Sequence, residues 1–423
     1  MNKSLLEMIQ RSRRFSFYFT MFVGLSMAPA GAVALDLTFP SDDCPAAAQV
    51  CVEQICSAGG GTLFVATGTH PLGNMVLNGR PLTNHIFARC SNFRMIGAGV
   101  DQTIVDATNS FDPPGKPSIA VGSAPFEPLS SKFDNIEVAH MTVKCDSNCT
   151  ASGLGSLRTT NMRFHHLKVV GFPTGIFWRN ADGTRIDHNE IHGRGPGTND
   201  RGLQLAATGF ECMPVGDVND NLTGFHVIEH NLIVDATVGI DIDAMTDSTV
   251  AKNTILGGKV GIRARAGDNN VFEKNKIVGI DLAWGGAPAI IGAAGLSLRS
   301  SDRTVISKNL VCDTVSAPAL RFEASDTRPF DLICPQPPPP FQFPFAELSR
   351  WPIFTNGNED NFIEKNQFLG YDPNVCGVAS GPNISASGTC FDAAFSFAPD
   401  GISNGGDNEF AQNVADPNGS CSD

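Results

Sequence analysis

Short apolar and polar runs alternate along the middle of the chain in a unit that recurs. Each unit has an apolar residue, two polar or small residues, an asparagine, any residue and a second apolar residue. Six units follow this order, at residues 186–191, 228–233, 250–255, 272–277, 306–311 and 363–368. Two earlier units, 138–143 and 164–169, have Met141 and Leu167 in place of the asparagine. Because the units are short, β-branched and bounded by Gly, Asn and Asp, they predict strands rather than helices.

The spacing of the units predicts how these strands are arranged. Asn231, Asn253 and Asn275 follow one another at intervals of 22 residues, as the coils of a solenoid do. In a solenoid, residues at equivalent positions stack on successive coils, so the apolar residues form columns inside the stack. The asparagines would then form a buried ladder in which each amide bonds its neighbours and the backbone of the turn.

A short helix and a glycine-rich segment precede the repeat. Residues 43–58 predict the helix, with Pro45 near its first turn, and residues 59–65 begin the first coil. With this entry and its repeat, the chain resembles the secreted right-handed parallel β-helix superfamily, which includes pectate lyases, polygalacturonases, and alginate lyases and epimerases. The resemblance implies an all-β fold, a right-handed parallel β-helix solenoid with a short N-terminal capping helix.

The predicted organisation is an export signal followed by one domain. Residues 1–34 contain basic residues, then an apolar run, then small residues ending at Ala34, the order typical of a secretory signal peptide. An N-terminal membrane anchor is the alternative, although the apolar run is short for a bilayer span. We therefore expect a secreted or periplasmic protein without stable membrane insertion. Residues 35–423 form the β-helix domain, with the cap at about 43–58, the coils at about 59–413 and insertions at about 209–219, 280–294 and 326–360.

Composition narrows the class of protein further. Hydrophobic residues make up 42% of the chain and charged residues 17%, which excludes a coiled coil and a disordered chain. The net charge of −13 argues against a nucleic-acid partner. The 12 cysteines all follow the predicted signal, so we expect disulfides, with Cys145–Cys149 as a candidate pair and the other pairings open.

A second strand in each coil carries the candidate chemistry. Alternation along these strands points every second residue away from the core, and coils ~4.8 Å apart would stack those residues in a column. We expect this column to face solvent as a cationic strip that contains two carboxylates. Its members are Phe177, Arg179, Gln204, Asp241, Asp243, Arg263, Arg265, Ser297, Arg299, Arg321 and Glu323.

An acidic polysaccharide is the expected partner of this strip, because arginine forks pair with carboxylates and sulfates. Asp241 and Asp243 are the candidate ligands of a Ca²⁺ ion that acidifies the C5 proton of a uronate. A nearby base, with Arg263 and Arg265 as candidates, would abstract that proton and start β-elimination, the reaction of a polysaccharide lyase. The candidate substrate-binding residues are Arg179, Gln204, Arg299, Arg321, Glu323, Trp284 and Trp351.

Other interpretations of the same residues stay open. A glycoside hydrolase would use Asp241 and Asp243 as acid and base, and a non-catalytic β-helix would only bind carbohydrate or adhere to a surface. The strip could also be a ladder of surface ion pairs, each worth about 0–1 kcal/mol. A metal site near the asparagine column is one interpretation of the histidines there, but strand spacing favours scattered histidines that lie on the surface or are satisfied in the core. These histidines are His165, His166, His188, His192, His226 and His230. We expect a monomer.

Overall fold

Parallel strands stacked on successive coils form the architecture. The computed structural model describes residues 34–44, 47–72, 74–77, 80–83, 86–108, 117–123, 132–146, 149–205, 223–243, 245–284, 293–314, 317, 319–323, 361–371, 390–391, 395–396, 409–416 and 419–421. Within these residues the chain forms two large sheets, of 21 and 13 strands, and a two-stranded hairpin. The predicted right-handed parallel β-helix is confirmed.

The strands are short, as expected for coils of about 22 residues. In chain order they are β1 (Leu37–Phe39), β2 (Gly61–Val65), β3 (Gly68–Pro71), β4 (Asn74–Leu77), β5 (Arg80–Thr83), β6 (Ile86–Ala88), β7 (Phe93–Gly97), β8 (Thr103–Asp106), β9 (Pro117–Gly122), β10 (Phe133–Lys144), β11 (Ser152–Leu157), β12 (Thr159–Val170), β13 (Thr174–Arg179), β14 (Arg185–Asp187), β15 (Glu190–His192), β16 (Arg201–Leu205), β17 (Thr223–Gly224), β18 (Val227–Glu229), β19 (Leu232–Val234), β20 (Val238–Asp243), β21 (Met245–Thr246), β22 (Thr249–Ala251), β23 (Thr254–Leu256), β24 (Val260–Asp268), β25 (Val271–Glu273), β26 (Lys276–Val278), β27 (Ala294–Asp302), β28 (Val305–Ser307), β29 (Leu310–Thr314), β30 (Leu320–Glu323), β31 (Phe362–Glu364), β32 (Gln367–Tyr371), β33 (Cys390–Phe391), β34 (Phe395–Ser396), β35 (Glu409–Ala411) and β36 (Val414–Asp416).

The first sheet contains two adjoining stacks. One runs through β1, β2, β7, β10, β12, β14, β18, β22, β25, β28, β31 and β35, and the other through β3, β8, β10, β12, β15, β19, β23, β26, β29, β32 and β36. The second sheet stacks β6, β9, β11, β13, β16, β20, β24, β27, β30 and β34. Because β1 pairs in parallel with β2, the coils begin at Leu37, earlier than the predicted residue 59.

Columns of apolar side chains fill the space between the sheets. Ile176, Leu203, Ile240, Ile262, Leu296 and Leu320 are aligned by strand pairing and are fully buried. The glycines before these residues have a packing reason. A Cβ on Gly239 would lie 2.6 Å from the carbonyl oxygen of Gly261 and 2.7 Å from Cγ2 of Ile255, so only glycine fits where the two sheets approach.

The predicted asparagine ladder is confirmed. Asn253 donates from Nδ2 to Oδ1 of Asn275 at 3.0 Å and to the carbonyl oxygen of Ile228 at 2.9 Å. Its own Oδ1 accepts from Nδ2 and backbone N–H of Asn231 at 2.9 and 3.1 Å. These bonds satisfy buried polar groups at one bend of each coil that has an asparagine there. The ladder contains Asn189, Asn231, Asn253, Asn275, Asn309, Asn366 and Asn413.

A second ladder, which the repeat pattern did not predict, occupies another bend. Nδ1 of His226 accepts from the backbone N–H of Thr184 at 3.3 Å, and the backbone N–H of His226 donates to Oγ of Ser248 at 2.8 Å. Ser248 N–H donates in turn to Oδ1 of Asn270 at 3.1 Å. His226 is therefore a buried structural histidine.

The helix α1 (Ala48–Ser57) covers the apolar end of the first coils. It begins later than the predicted residue 43. Cys51, Val52 and Ile55 form its fully buried face, and Gln49 exchanges two hydrogen bonds with the backbone of Phe87 in β6, at 3.1 and 2.7 Å. The helix thereby supplies both the apolar contact and the backbone partners that a next coil would provide.

Four disulfides occur among the described residues: Cys44–Cys51, Cys56–Cys90, Cys145–Cys149 and Cys312–Cys421. The candidate pair Cys145–Cys149 is thus confirmed. Across the described ranges, no helix is long and apolar enough to cross a membrane. The predicted signal (1–34, apart from Ala34), the insertions at 209–219 and 326–360 and most of the insertion at 280–294 lie outside the described residues.

Candidate functional site

The predicted strip on the second sheet is in register. Strand pairing sets Asp241 beside Arg263 and Asp243 beside Arg265. Arg263 donates Nε to Oδ1 of Asp241 at 2.8 Å and Nη2 to Oδ2 at 2.6 Å. Arg201, on the preceding coil, donates Nε to the same Oδ2 at 2.9 Å. Residues far apart in the chain therefore meet as the repeat predicts.

The expectation that this strip faces solvent is wrong at its centre. Asp241 is 1% exposed and Arg263 8%, and Arg179 and Ser297 are also buried. The guanidinium groups fold over the carboxylate of Asp241, and this ion pairing excludes water from it. At the margin, Arg265 donates Nη2 to Oδ2 of Asp243 at 2.6 Å.

The electrostatics of Asp241 are those of a paired carboxylate. Burial alone would raise the pKa of Asp241, but Arg263, Arg265 and Arg201 outweigh it and lower the pKa to about 2. Arg263 and Arg201 already bond both oxygens of Asp241, which are the atoms that a Ca²⁺ ion would need, so Ca²⁺ binding by Asp241 and Asp243 stays a prediction. The contacts favour the ion-pair ladder, and a catalytic role for Asp241, Asp243, Arg263 and Arg265 stays a prediction.

The remaining predicted binding residues are spread over several elements. Gln204 is half-buried in β16, and strand pairing aligns the backbone of Ser297 with Arg321 and of Arg299 with Glu323. Trp284 lies in a 3-10 turn, Leu282–Trp284, where its carbonyl oxygen accepts from the N–H of Gly197 at 2.9 Å. Trp351 lies outside the described residues.

A column of stacked imidazole rings occupies the outer face of the first sheet. We call it the histidine ladder; its members are His140, His166, His188 and His230. Successive ring centroids are 4.9, 5.1 and 4.9 Å apart. All four residues have a positive φ, between 50° and 59°, a conformation in which histidine is enriched. It bends each coil and stacks the side chains at the coil spacing, so the expectation of scattered histidines is wrong here.

His165 adds a fifth ring beside this ladder. Its Nδ1 lies 2.8 Å from Nδ1 of His166, and its ring is edge-on to the rings of His140 and His166. Ring nitrogens of His140, His165 and His166 lie within 4.8 Å of one another. These three residues are the histidine cluster.

Carboxylates in the neighbouring columns form hydrogen bonds with nitrogens of these rings. Oε1 of Glu137 is 2.7 Å from Nε2 of His165, and Oδ2 of Asp187 is 2.9 Å from Nδ1 of His188. Asp187 is fully buried and accepts two bonds from Arg163, at 2.8 and 2.7 Å. Burial opposes ionisation, but these donors outweigh it and hold the pKa of Asp187 well below its usual range.

The pKa values of His165 and His166, whose rings are in contact, are both lowered. Burial lowers the pKa of His165 and outweighs the opposing effect of Glu137. Burial also lowers the pKa of His166, and the neighbouring histidines lower it further. Neutral imidazole has a free nitrogen lone pair, which is the form that binds a metal ion.

Two other groups of close ligand atoms occur in the described ranges, and both contain a disulfide. They are Cys145, Asp146 and Cys149, and Cys312, Asp313 and Cys421. A disulfide sulfur is not a thiolate and does not serve as a metal ligand in the same way. The histidine cluster is therefore the candidate metal centre.

The family described as periplasmic copper-binding protein (NosD) matches residues 139–385, more than half of the chain. The chain belongs to the NosD family. The matched segment contains the entire histidine ladder and the strip on the second sheet. No curated protein sequence matches the chain significantly.

Solved structures share the fold at low sequence identity. PfbA, a surface adhesin of Streptococcus pneumoniae, is 8% identical with a TM-score of 0.50, over 78% of this chain and 76% of that chain. The Agl-KA catalytic domain is 14% identical with a TM-score of 0.50, over 88% and 62%. The mannuronan C-5 epimerase AlgE6 A-module of Azotobacter vinelandii is 12% identical with a TM-score of 0.43, over 87% and 93%. The chain thus spans less than two thirds of the Agl-KA domain.

The donor set of the histidine cluster fits a copper ion. Imidazole nitrogen suits copper, zinc, iron and nickel, and among divalent first-row ions Cu²⁺ generally binds most tightly. Metal–nitrogen bonds of ~2 Å bring the nitrogens of one site within about 4 Å of each other, close to the separations found here. His140, His165 and His166 are the residues that would hold the ion.

The sequence contains a signal for the histidine ladder that the spacing of the repeat does not show. His188 and His230 each directly precede an asparagine of the ladder, in the pairs His188-Asn189 and His230-Asn231. In each of these coils the residue before the asparagine has a positive φ. The side chains at this position therefore stack in one outer column. His165 lies beside the histidine ladder, in a different column, and the repeat by itself does not reveal that contact.

Proposed function

We propose that this protein is a periplasmic copper-binding protein whose ion is held by His140, His165 and His166. The observation that carries the proposal is the convergence of their ring nitrogens within 4.8 Å. Membership of the NosD family supports copper as the ion, and the lowered pKa values of His165 and His166 support binding at neutral pH.

The contribution of each residue follows from its position. His165 is buried and held by Glu137, so it provides a fixed nitrogen. His166 is exposed, which leaves the open side from which an ion or a partner molecule would approach. Bound copper would supply a centre capable of one-electron chemistry.

Copper titration of the metal-free protein tests the proposal. We expect one tight site per chain by calorimetry with Cu²⁺ and by competition with a chelator for Cu⁺. The variant His165→Ala should bind at least about 100-fold more weakly, more than the 10–100-fold that outer partners of ligands contribute. The control His192→Ala removes a histidine that pairs with Glu190 outside the cluster and should bind normally. Equal affinities in all three proteins would contradict the proposal.

Export is part of this proposal. The basic, apolar and small-residue order of residues 1–34 supports a cleaved signal, as does the periplasmic family description. Fractionation of cells that express the full chain should recover a shortened protein outside the cytoplasm. Recovery of the uncleaved chain from the cytoplasm would contradict export.

The second candidate function is action on an acidic polysaccharide by a monomeric protein, with β-elimination as the expected reaction. The aligned guanidinium groups of the strip favour it, because Arg201 and Arg265 keep 25% and 22% side-chain exposure while pairing with the aspartates. Catalysis or Ca²⁺ binding through Asp241 would require the carboxylate to exchange its arginine partners. The ion pairs therefore support polysaccharide binding more than turnover.

Incubation with pectate, alginate and glycosaminoglycans, with and without Ca²⁺, separates the alternatives for the strip. A lyase produces an unsaturated sugar that absorbs in the ultraviolet and loses activity with a chelator if Ca²⁺ takes part. A glycoside hydrolase releases reducing ends without that absorbance. A non-catalytic binder shows affinity without either product, and absence of binding to every polymer would eliminate this candidate.

A further inference from the structure

We propose that Glu137 is a positioning residue that holds the proton of His165 on Nε2 and so directs the lone pair of Nδ1 into the histidine cluster. This inference rests on the proposed function for its consequence, copper affinity, but not for its geometry. It assigns His165 as a ligand through Nδ1, and it makes a residue of the preceding coil part of the metal centre.

The hydrogen bonds around His165 fix its tautomer. Oε1 of Glu137 lies 2.7 Å from Nε2 of His165, and an ionised carboxylate only accepts hydrogen bonds. Nε2 must therefore carry the proton. Because a neutral imidazole has one N–H, Nδ1 is left as the acceptor in the 2.8 Å contact with Nδ1 of His166.

Glu137 is itself held in the ionised form and in place. Its Oε2 accepts from Nε of Arg94 at 2.6 Å, and an ion pair of this kind favours the charged form of the carboxylate. His165 is 5% exposed, so water has little access to replace Glu137 as the partner of Nε2. Metal-bound histidines commonly donate their second N–H to such a carboxylate, which fixes the ring and strengthens the ligand.

The other nearby carboxylate is committed elsewhere. Asp187 accepts from Arg163 and from His188, although strand pairing aligns it with His165. A matched pair outside the cluster exists on the next coil, where Oε1 of Glu190 lies 2.5 Å from Nε2 of His192. Comparison of these two Glu–His pairs shows whether the glutamate affects copper binding only when its histidine belongs to the histidine cluster.

The variant Glu137→Gln tests the inference. It keeps the size of the side chain but removes the charge, and its amide can also donate to His165. In the metal-free protein, histidine-selective nitrogen NMR should show His165 protonated on Nε2, and Glu137→Gln should move part of that population to Nδ1. Copper affinity should fall about 10–100-fold. Glu190→Gln, which makes the same change in the matched pair outside the cluster, should leave copper affinity within threefold of the parent protein.

The outcomes of the two proposals are distinguishable. A proton on Nδ1 of His165, or a tautomer unchanged by Glu137→Gln, overturns the role of Glu137 whether or not copper binds. Failure of the parent protein to bind copper overturns the proposed function, while the spectrum of the metal-free protein still decides the tautomer. An affinity loss as large in Glu190→Gln as in Glu137→Gln would assign the effect to the removal of a negative charge in general and also overturn the inference.

Discussion

The ring of His166 lies parallel to that of His188 on the next coil, with 3° between their planes and 5.1 Å between their centroids. Both residues have the left-handed backbone conformation that bends a coil. The β-helix repeats this bend, so a local conformational preference becomes a column of imidazole rings. Burial lowers the pKa of His166, and the neighbouring rings that stacking brings close lower it further.

The two ends of the histidine ladder should differ in copper binding. His140 belongs to the histidine cluster and His230 does not, although both occupy the same bend with positive φ. We expect His140→Asn to lower copper affinity at least about tenfold and His230→Asn to leave it unchanged. Asparagine tolerates this backbone conformation, so both variants should fold equally well by circular dichroism. Equal losses would mean that the whole ladder, rather than the cluster, holds the ion.

The buried His226 should make the stability of the protein depend on pH. Burial lowers its pKa from 6.5 to about 4, so the unfolded chain binds a proton at a higher pH than the folded chain. The free energy of unfolding should therefore fall as the pH drops from about 6.5 to about 4, by about 3 kcal/mol from this residue. Urea unfolding at a series of pH values measures the slope.

The variant His226→Asn supplies the control for that slope. Asn270 and Asn361 accept backbone N–H bonds at the same bend of later coils, so asparagine is compatible with the position. The variant should show a smaller decrease between pH 6.5 and pH 4. An unchanged slope would assign the pH dependence to other groups.

Removal of one rung of the asparagine ladder should destabilise several coils. Asn253→Ala takes away the acceptor of the Asn231 amide and backbone N–H and the donor to Ile228 and Asn275. Buried groups without partners cost about 1–3 kcal/mol each, so we expect a loss of about 3 kcal/mol or more by chemical denaturation. The adjacent Thr254→Ala, on the outer side, should change stability by about 0.5 kcal/mol or less.

The centre of the strip should behave as a structural ion-pair cluster. Asp241→Asn removes the negative charge that accepts two hydrogen bonds from the buried Arg263, and breaking such a pair typically costs about 3–5 kcal/mol. The exposed Asp247→Asn should cost about 0.5 kcal/mol or less. Thermal unfolding of the two variants measures the difference. Normal stability of Asp241→Asn together with loss of polysaccharide turnover would instead support catalysis by this residue.

Different parts of the fold and site were predictable to different degrees. Asn231, Asn253 and Asn275 revealed the coil length, the strand order and the buried ladder, because a repeat converts sequence spacing directly into position. The alternation around Ile240 and Ile262 correctly predicted which side chains point inward. The same alternation did not predict that Asp241 would be buried. Exposure on the outer face depends on the conformations of the arginine side chains, which are long enough to cover a neighbouring residue.

The order of residues along the chain determines the length of the coil, its register and the side chains that point inward. These features depend on the order of apolar, polar and asparagine positions, which is present in each repeat. The meeting of His165, His166 and Glu137 was decided by the tertiary structure. They come from three columns and two coils. The 2.7 Å distance from Nε2 of His165 to Oε1 of Glu137 and the 2.8 Å distance between Nδ1 of His165 and Nδ1 of His166 depend on side-chain rotamers and strand bends. Those are set by packing between coils, which spacing along the chain does not encode.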